Sequence, residues 1–457
     1  MRSRLAVATT RVVNAASRRL GRGQGTVAGG RSGLRIDPRL LEHLTIGRAV
    51  ALVTGTNGKT TTTRLLSVAL GRDGARVVSN ETGSNMPPGH VAALAGDRRA
   101  GLAVLEVDEV YLPRVLAATR AAVVVLLNLS RDQLDRTNEV RMVAGTWRAA
   151  LAAAPHATVV ANADDPLVVW AAGAALQVRW VGAGLGWRLD AVGCPACQGR
   201  IAFDAGGSWA CVSGCGFARP EPMATLRASG DGASYQAVWS DGACQKIALA
   251  LPGRFNYANA LMAAVAAAAL GVDAVDGLAA MAAVGDVAGR FTLREVGGVR
   301  ARLMLAKNPA GWSELLELVG DDEGPIVISI NARTADGADP SWLWDVPFER
   351  LAPRVVVATG DRCRDLSVRL HYAGVTHVTE VDPVAAVRTA AAQGASADGA
   401  RDRVDGDSVR TIGDSVRVDG DSVRTIGDSV RVDGDCVHVI GNYTAFHDLL
   451  AAGVPAP

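Results

Sequence analysis

No stretch of this chain is apolar over the roughly 20 residues that a bilayer-spanning helix needs. The longest apolar runs, AAVVVLL (121–127) and LMAAVAAAAL (261–270), have the lengths of a buried strand and a buried helix. Aromatic residues are scarce at 4%, and the net charge is only +1 over 457 residues. The first weakens a base-stacking platform and the second a polyanion-binding field, so nucleic acid is not an expected partner. Acids are missing from the first 36 residues, which hold eight Arg. That bias has three readings: an organelle transit peptide, a basic amphipathic helix on an anionic membrane face, or a surface helix followed by the Gly-rich linker GRGQGTVAGGRSG. A secreted disulfide framework is excluded by the cysteines: seven, an odd count, with four clustered as in metal sites of reducing compartments.

What is present is alternation. AVALVTG reads as a buried strand and TTTTRLLSVALG as a helix; GLAVLEV, AAVVVLLN and ATVVANA read as further buried strands. Strands alternating with helices predict a mostly parallel sheet covered on both faces. From about Val181 to Ala250 the chain breaks into short, Gly-rich, Cys-bearing pieces, read as an insertion. FNYANALMAAVAAAALG returns to a helix ending at Gly271. A second α/β unit is expected from Val299, with ARLMLA, PIVISIN, RVVVATG, THVTEV and finally CVHVIG as strands. The expected organisation is a basic helix and linker (1–45), a central domain (46–298) with a cysteine insertion at about 185–225, and a Rossmann-like α/β domain (299–457). A 14-residue sequence, DSVRTIGDSVRVDG, occurs at 407–420 and again at 421–434. Two copies are too few for a solenoid, so the repeat reads as a polar surface loop.

Two motifs carry chemistry. In VTGTNGKTTTT, a loop leaves a strand and opens a helix, so its N–H groups converge on an anion at the helix N-terminus. Gly55 and Gly58 let the backbone approach phosphate oxygens. The loop Gly55, Thr56, Asn57, Gly58, Lys59, Thr60 and Thr61 is the expected ATP site, with Lys59 on the β/γ-phosphates and the Thr60 hydroxyl on Mg²⁺. Glu106 ends another buried strand on the same sheet edge, where a carboxylate suits Mg²⁺; Asp108 and Glu109 are nearby alternatives. The second motif is CPAC and CVSGC. Cys194, Cys197, Cys211 and Cys215 offer four thiolates, which suit a closed, structural Zn²⁺ site that pins an insertion lacking its own core.

With NLSRDQLDR (128–136), NADDP (162–166), GRFNYANAL (253–261) and GRF (289–291) following in order, the chain resembles the Mur ligase superfamily. These enzymes activate a carboxylate as an acyl phosphate, which an amine then attacks. The resemblance implies that Lys59 and Thr60 hold phosphates and Mg²⁺, that Glu106 holds Mg²⁺, that Asn256 and Asn259 lie near adenine, and that Arg290 reaches the nucleotide from a hinge. Ordinary members carry HNP where this chain has AKNPAGW, with Lys307 in the histidine position. KNPAG, ADGADPSWLWD, IGNYTAF and the cysteine knuckle resemble the MurT branch, although C-x₃-C is wider than that branch's usual second pair. The branch implies amidation of the D-glutamate α-carboxylate of lipid II, a GatD-type glutaminase partner, and a place in the cytoplasm, at the inner membrane face. Within that partnership Asp339 is implied as a third triad member supplied in trans, with Asp345 as fallback. Cys244, Cys363 and Cys436 lack a glutaminase elbow, so ammonia must come from a second chain. The competing readings are a ligase adding an amino acid, as in folylpolyglutamate or cyanophycin synthesis, and a non-catalytic nucleotide-binding scaffold.

Overall fold

Val50 to Val53 are buried on both faces of a sheet, which is why the first strand is apolar at nearly every position instead of alternating. The structure is a computed structural model that describes residues 1–20, 26–80, 84–131, 139–230, 234–285, 291–320, 324, 326–405 and 436–455. The 407–434 repeat and Arg290 therefore lie outside the described residues. The chain divides into two compact units, 1–288 and 289–457.

The first unit begins with three helices, α1 (Arg2–Arg19), α2 (Thr26–Ile36) and α3 (Leu40–Thr45). The alternating part follows as β1 (Ala49–Thr54), α4 (Lys59–Gly71), β2 (Val77–Ser79), α5 (Pro87–Gly96), β3 (Leu102–Glu106), α6 (Leu112–Thr119), β4 (Val123–Leu126), α7 (Val140–Ala152), β5 (Thr158–Asn162), α8 (Pro166–Ala172) and β6 (Gln177–Gly182). Then come the small hairpin β7 (Ile201–Phe203) and β8 (Trp209–Cys211), the strands β9 (Ala224–Ala228), β10 (Tyr235–Trp239) and β11 (Cys244–Ile247), and the helices α9 (Arg254–Ala269) and α10 (Ala274–Met281).

The main sheet runs β11-β10-β9-β6-β5-β4-β1-β3-β2, parallel from β2 to β9 and antiparallel at the β9-β10-β11 end. One face packs on α5, α6 and α7 through Leu94, Leu105, Leu112 and Trp147; the other packs on α4 and α9 through Leu65, Leu66, Leu261 and Val265. Residues 224–247 thus extend the main sheet, and the insertion is confined to 183–223 instead of reaching Ala250.

One expectation at the N-terminus needs correction. Much of the Gly-rich stretch read as a linker is the helix α2. A Cβ on Gly30 would lie 1.8 Å from the Pro88 carbonyl oxygen, and one on Gly33 would lie 2.2 Å from Thr10 Oγ1. The glycines permit close helix crossing, which composition alone cannot distinguish from flexibility. The basic helix α1 itself packs into the unit: Ala6 and Val7 belong to the core cluster that contains Leu105 and Trp147.

The second unit consists of β12 (Phe291–Val296), β13 (Val299–Leu305), α11 (Pro309–Gly320), β14 (Ile326–Ser329), β15 (Val356–Thr359), α12 (Cys363–Tyr372), β16 (His377–Thr379), α13 (Pro383–Asp405), β17 (Val437–Gly441), α14 (Tyr443–Ala452) and β18 (Val454–Pro455). Its sheet order is β16-β15-β14-β17-β13-β12-β18. Because β12 pairs antiparallel with β13 from Phe291↔Met304 to Val296↔Val299, this unit starts before the expected Val299. Among the described residues no helix is long and apolar enough to cross a membrane.

A candidate nucleotide site and a four-cysteine centre

At the carboxyl end of β1 the chain turns into α4 with φ +143° at Gly55 and +84° at Gly58. Both lie in the left-handed range that favours glycine, and neither position has room for a side chain. A Cβ on Gly55 would meet Leu127 Cβ at 2.9 Å, and one on Gly58 would meet Asn259 Oδ1 at 2.5 Å. Asn128, at the end of β4, holds the loop on its other side. Its Oδ1 accepts the Asn57 N–H at 2.9 Å, its Nδ2 donates to the Asn57 carbonyl at 3.1 Å, and its carbonyl accepts the Thr56 N–H at 3.0 Å. Thr56 and Ser130 add a reciprocal pair at 2.9 and 3.0 Å. The loop is therefore preorganised before any phosphate arrives.

Lys59 and Thr60 open the helix and are buried. The Lys59 ammonium donates to the Gly55 and Thr56 carbonyls at 2.6 and 3.2 Å and faces both Glu109 oxygens at 3.3 Å. The Thr60 hydroxyl donates to Glu106 Oε2 at 2.8 Å. The structure thus brings Thr60 and Glu106 together as two hard oxygen donors beside the helix N-terminus, a set suited to Mg²⁺. Of the two acids weighed against Glu106, Glu109 pairs with the lysine, and Asp108 caps the turn that follows, accepting from the Val110 N–H.

Glu106 is itself held by two residues that sequence reasoning missed. Asn80 pairs with its backbone, accepting the N–H at 2.8 Å and donating to the carbonyl at 2.9 Å. His90 from α5 lies 2.8 Å from the same carbonyl through Nε2. Burial pushes the His90 imidazole down to about 4, so at neutral pH it is uncharged and Nε2–H is the donor. Neither residue sits in a recognisable motif.

The Asn259 side chain packs against Gly58, so it contacts the phosphate loop itself; Asn256 donates to the Pro252 carbonyl one turn before it. NADDP acts through its carboxylates. Asp164 accepts from the Gly184 N–H and Arg219 Nε, both at 2.6 Å. Asp165 caps α8 and accepts the Leu129 N–H at 2.8 Å. Its burial pushes that carboxyl up to about 6, against the lowering effect of those N–H groups.

The insertion brings its four cysteines to one point, with every Sγ within 4.8 Å of the others. Cys194–Cys215 and Cys197–Cys211 are 3.8 and 3.5 Å apart. Tetrahedral Zn²⁺ with Zn–S of about 2.3 Å sets sulfurs about 3.8 Å apart, so the donors and their spacing fit zinc. Backbone N–H groups two residues on, from Gly199, Ser213 and Phe217, favour the thiolates of Cys197, Cys211 and Cys215. At Cys197 and Cys215 neighbouring sulfurs and burial work against them, so the Cys197 thiol is pushed up to about 12 and Cys215 also up, while Cys211 is pulled down to about 6. The extra residue of C-x₃-C is absorbed at Gly214, with φ +74°. Around the cluster Ile201 and Trp209 form a small core, and Trp209 Nε1 donates to the Ala163 carbonyl at 3.0 Å, which ties the insertion to the main sheet.

In the second unit the carboxyl edges of β13, β14 and β17 gather polar residues. Asn331 and Asn442 bond reciprocally, with the Asn331 N–H donating to Asn442 Oδ1 at 3.0 Å. Lys307 lies 5.5 Å from the Tyr443 ring centre. Asp336 is buried and accepts from the Thr444 N–H and hydroxyl and from the Arg333 N–H. Asp339 is exposed, and one of its oxygens accepts the Ser341 N–H at 2.8 Å. That hydrogen bond holds its pKa below the ordinary carboxylate value. Asp345 is half-buried. Of the two indoles of SWLW, only Trp344 is a surface group; Trp342 is buried against Trp312.

Residues 53–185 match the Mur ligase middle domain, and residues 305–404 match the MurT ligase C-terminal domain. The chain is 29% identical to the Streptococcus pneumoniae lipid II isoglutaminyl synthase (glutamine-hydrolyzing) subunit MurT, over 77% of this chain and 83% of that protein. The Staphylococcus aureus subunit of the same name is also 29% identical, over 82% and 89%. Among solved structures, a pseudomurein peptide ligase type C from Methanothermus fervidus superposes with a TM-score of 0.61 at 19% identity, covering 88% of this chain and 78% of the other. MurF from Acinetobacter baumannii gives 0.59 at 15% identity, covering 92% and 80%. These two likenesses show the fold. The phosphate loop backed by β4, the carboxylate at the end of β3 and the two matched domains agree: the chain belongs to the Mur ligase family, in the branch that carries the MurT ligase C-terminal domain.

Proposed function

We propose that this protein is the ATP-dependent amidating subunit of a lipid II isoglutaminyl synthase. It converts the α-carboxylate of D-glutamate in the lipid II stem peptide to the amide during peptidoglycan synthesis. The observation that carries the reading is the convergence of Lys59, Thr60 and Glu106 on one preorganised helix N-terminus, in a chain with the MurT-type C-terminal domain.

The chemistry follows from charge. A carboxylate is a poor acyl donor because oxide is a poor leaving group. Attack of a carboxylate oxygen on the γ-phosphorus of ATP releases ADP and forms an acyl phosphate. Ammonia then adds to the acyl carbon, phosphate departs with the C–O bonding pair, and the amide loses a proton. In the first step two anions must meet. Lys59 and the N–H groups of the loop neutralise the transferred phosphoryl group. Thr60 and Glu106 would hold Mg²⁺, which supplies further charge neutralisation when bound. Asn128, Asn80 and His90 hold the loop and the Glu106 backbone in place. Cys194, Cys197, Cys211 and Cys215 would hold a structural Zn²⁺ that fixes the 183–223 insertion. Asn256, Asn259 and Arg290 are read as further nucleotide contacts.

Ammonia comes from a GatD-type glutaminase partner in the cytoplasm. Asp339 would complete that partner's triad by orienting its histidine. The exposure of Asp339 supports this role, and the engagement of Asp336 with Thr444 sets Asp336 apart from it. The test is to incubate the protein with ATP, Mg²⁺, lipid II and NH₄Cl and weigh the product. Replacement of OH by NH₂ is expected. Gain of an amino-acid residue would favour the ligase reading, and no product would favour a scaffold. Asp339→Asn should abolish glutamine-driven but not NH₄Cl-driven amidation, with the complex intact. Equal loss with both sources would move Asp339 to the synthetase site, and no loss would make it a turn residue.

A further inference from the structure

α1 shows two different faces. At 3.6 residues per turn, successive side chains rotate by about 100°. Ala6, Val7, Thr10 and Asn14 fall on the face that is buried. On the opposite side the exposed residues Leu5, Ala8, Val12 and Ala16 share an arc of about 80° on the helical wheel. Leu5 and Val12 are 60% and 67% exposed, and Leu20 beyond the helix is 69% exposed. Beside this apolar stripe, Arg4, Arg11 and Arg18 recur every seven residues and share an arc of about 40°. Arg19 joins them at the exposed C-terminal end of the helix. No acid lies on α1 or α2. Among the described residues, Arg4, Arg18 and Arg19 carry no ion pair.

We propose that the outward face of α1 docks on an anionic lipid surface, with Leu5 and Val12 entering the headgroup boundary and the arginine row pairing with lipid phosphates. An apolar stripe edged by arginine, without a single acid, is the charge complement of such a surface and the pattern of an interfacial helix. The helix is also connected to the chemistry. α2 packs against α1 and, through Gly30, against the Pro88 backbone at the start of α5. Two residues further along α5, His90 bonds the backbone of Glu106. Docking α1 therefore holds the nucleotide-binding unit at the membrane. The inference deepens the proposed function, since it rests on that reading for why the membrane matters; the docking itself is independent of the substrate.

The experiment is flotation of the full chain with vesicles that contain no substrate: phosphatidylcholine alone, or phosphatidylcholine mixed equally with phosphatidylglycerol. The wild type should float with the anionic vesicles only, and less as salt is raised. Each basic residue near an anionic surface changes partitioning roughly five-fold. Arg4→Gln/Arg18→Gln/Arg19→Gln should therefore weaken binding by roughly a hundred-fold. Arg11 is left alone because it bonds the Ala95 carbonyl. Leu5→Ser/Val12→Ser should also lower binding, whereas Arg227→Gln/Arg364→Gln, exposed elsewhere, should not. All these side chains are exposed, so melting temperatures should match the wild type.

Wild-type protein that ignores anionic vesicles would overturn the proposal. So would a triple variant that binds like wild type, or an equal loss in the control pair. A dimer that Leu5→Ser/Val12→Ser splits without changing flotation would overturn it as well, by assigning the face to a second copy. A parallel assay with a lipid-free stem-peptide fragment, ATP and NH₄Cl separates the two readings. Amidation without flotation sinks the docking alone, and flotation without amidation of either substrate sinks the proposed function alone.

Discussion

The nucleotide loop and the cysteine knuckle are both phosphate- or metal-sized sites built from short, Gly-containing turns, yet they are held in opposite ways. The loop is fixed by the protein: Asn128 bonds it from β4, Asn259 backs Gly58, and Asn80 and His90 set Glu106. Among the described residues the knuckle's core is small, with Val169, Ile201, Trp209 and a few partly buried neighbours, and its four converging sulfurs fit a cation between them. We propose that the first keeps its shape without a ligand and that the second is completed by one. Damage to the first should appear in activity alone, and damage to the second in local structure alone.

The largest effect should come from Lys59→Ala. Losing a cation aimed at the transferred phosphoryl group should cut amidation roughly 10²–10³-fold or more. The protein should stay folded, because Asn128 and Ser130 still hold the loop once the Lys59 bonds to the Gly55 and Thr56 carbonyls are gone. A variant that unfolds instead would erase the contrast between the two sites.

Cys194→Ser tests the other half. Freshly purified wild type should carry about one zinc per chain, and the variant almost none. Limited proteolysis should then cut within 183–223 while ATP binding persists. Loss of ATP binding together with zinc would show that the two sites are not independent.

A moderate effect is expected from pH. The His90 pKa is lowered to about 4 in the folded protein, so its contribution to stability is present above its unfolded value and is lost as pH falls through about 4. Asp165 is the reverse. Its pKa is raised to about 6, so its contribution is full below the ordinary carboxylate value and is lost as pH rises through about 6. Each shift corresponds to about 3 kcal/mol, and between pH 4 and 6 the two slopes oppose. Asp165→Asn should unmask the histidine slope, so that denaturant-measured stability falls more steeply toward acid than in wild type. An unchanged slope would remove Asp165 from the account.

The smallest effect is predicted for deleting Asp407 to Gly420, one copy of the repeat. Amidation should stay within a few-fold if the repeat is the surface loop its sequence suggests, since loop length changes closure entropy only slowly. An insoluble product would show that the repeat packs against its unit.

The parts readable from sequence are those in which one contiguous segment states both element and chemistry. A buried strand, a Gly-rich turn and a helix beginning with Lys-Thr put Lys59 and Thr60 at a helix N-terminus, and a strand ending in Glu106 put its carboxylate on the same edge. CPAC and CVSGC stated their own geometry. What escaped depends on contacts between distant segments. Asn128 lay in a noted motif without a role, and Asn80 and His90 had no signal at all. Glycines in α2 looked like a linker because composition does not record that another helix crosses there. The burial of Trp342 in SWLW gave no sequence signal because it depends on packing against Trp312, distant along the chain. The second unit's start was placed late because β12 is recognisable only through its pairing with β13.

The central claim is that a carboxylate is activated by the ATP γ-phosphoryl group at the Lys59 loop. Lipid II labelled with ¹⁸O in the D-glutamate α-carboxylate tests it directly, with ATP, Mg²⁺ and NH₄Cl as the other reactants. The account predicts ADP and inorganic phosphate carrying an ¹⁸O atom from the carboxylate, formed in step with the amide and lost together in Lys59→Ala. Amide formation with unlabelled phosphate, or with AMP and pyrophosphate, would contradict it.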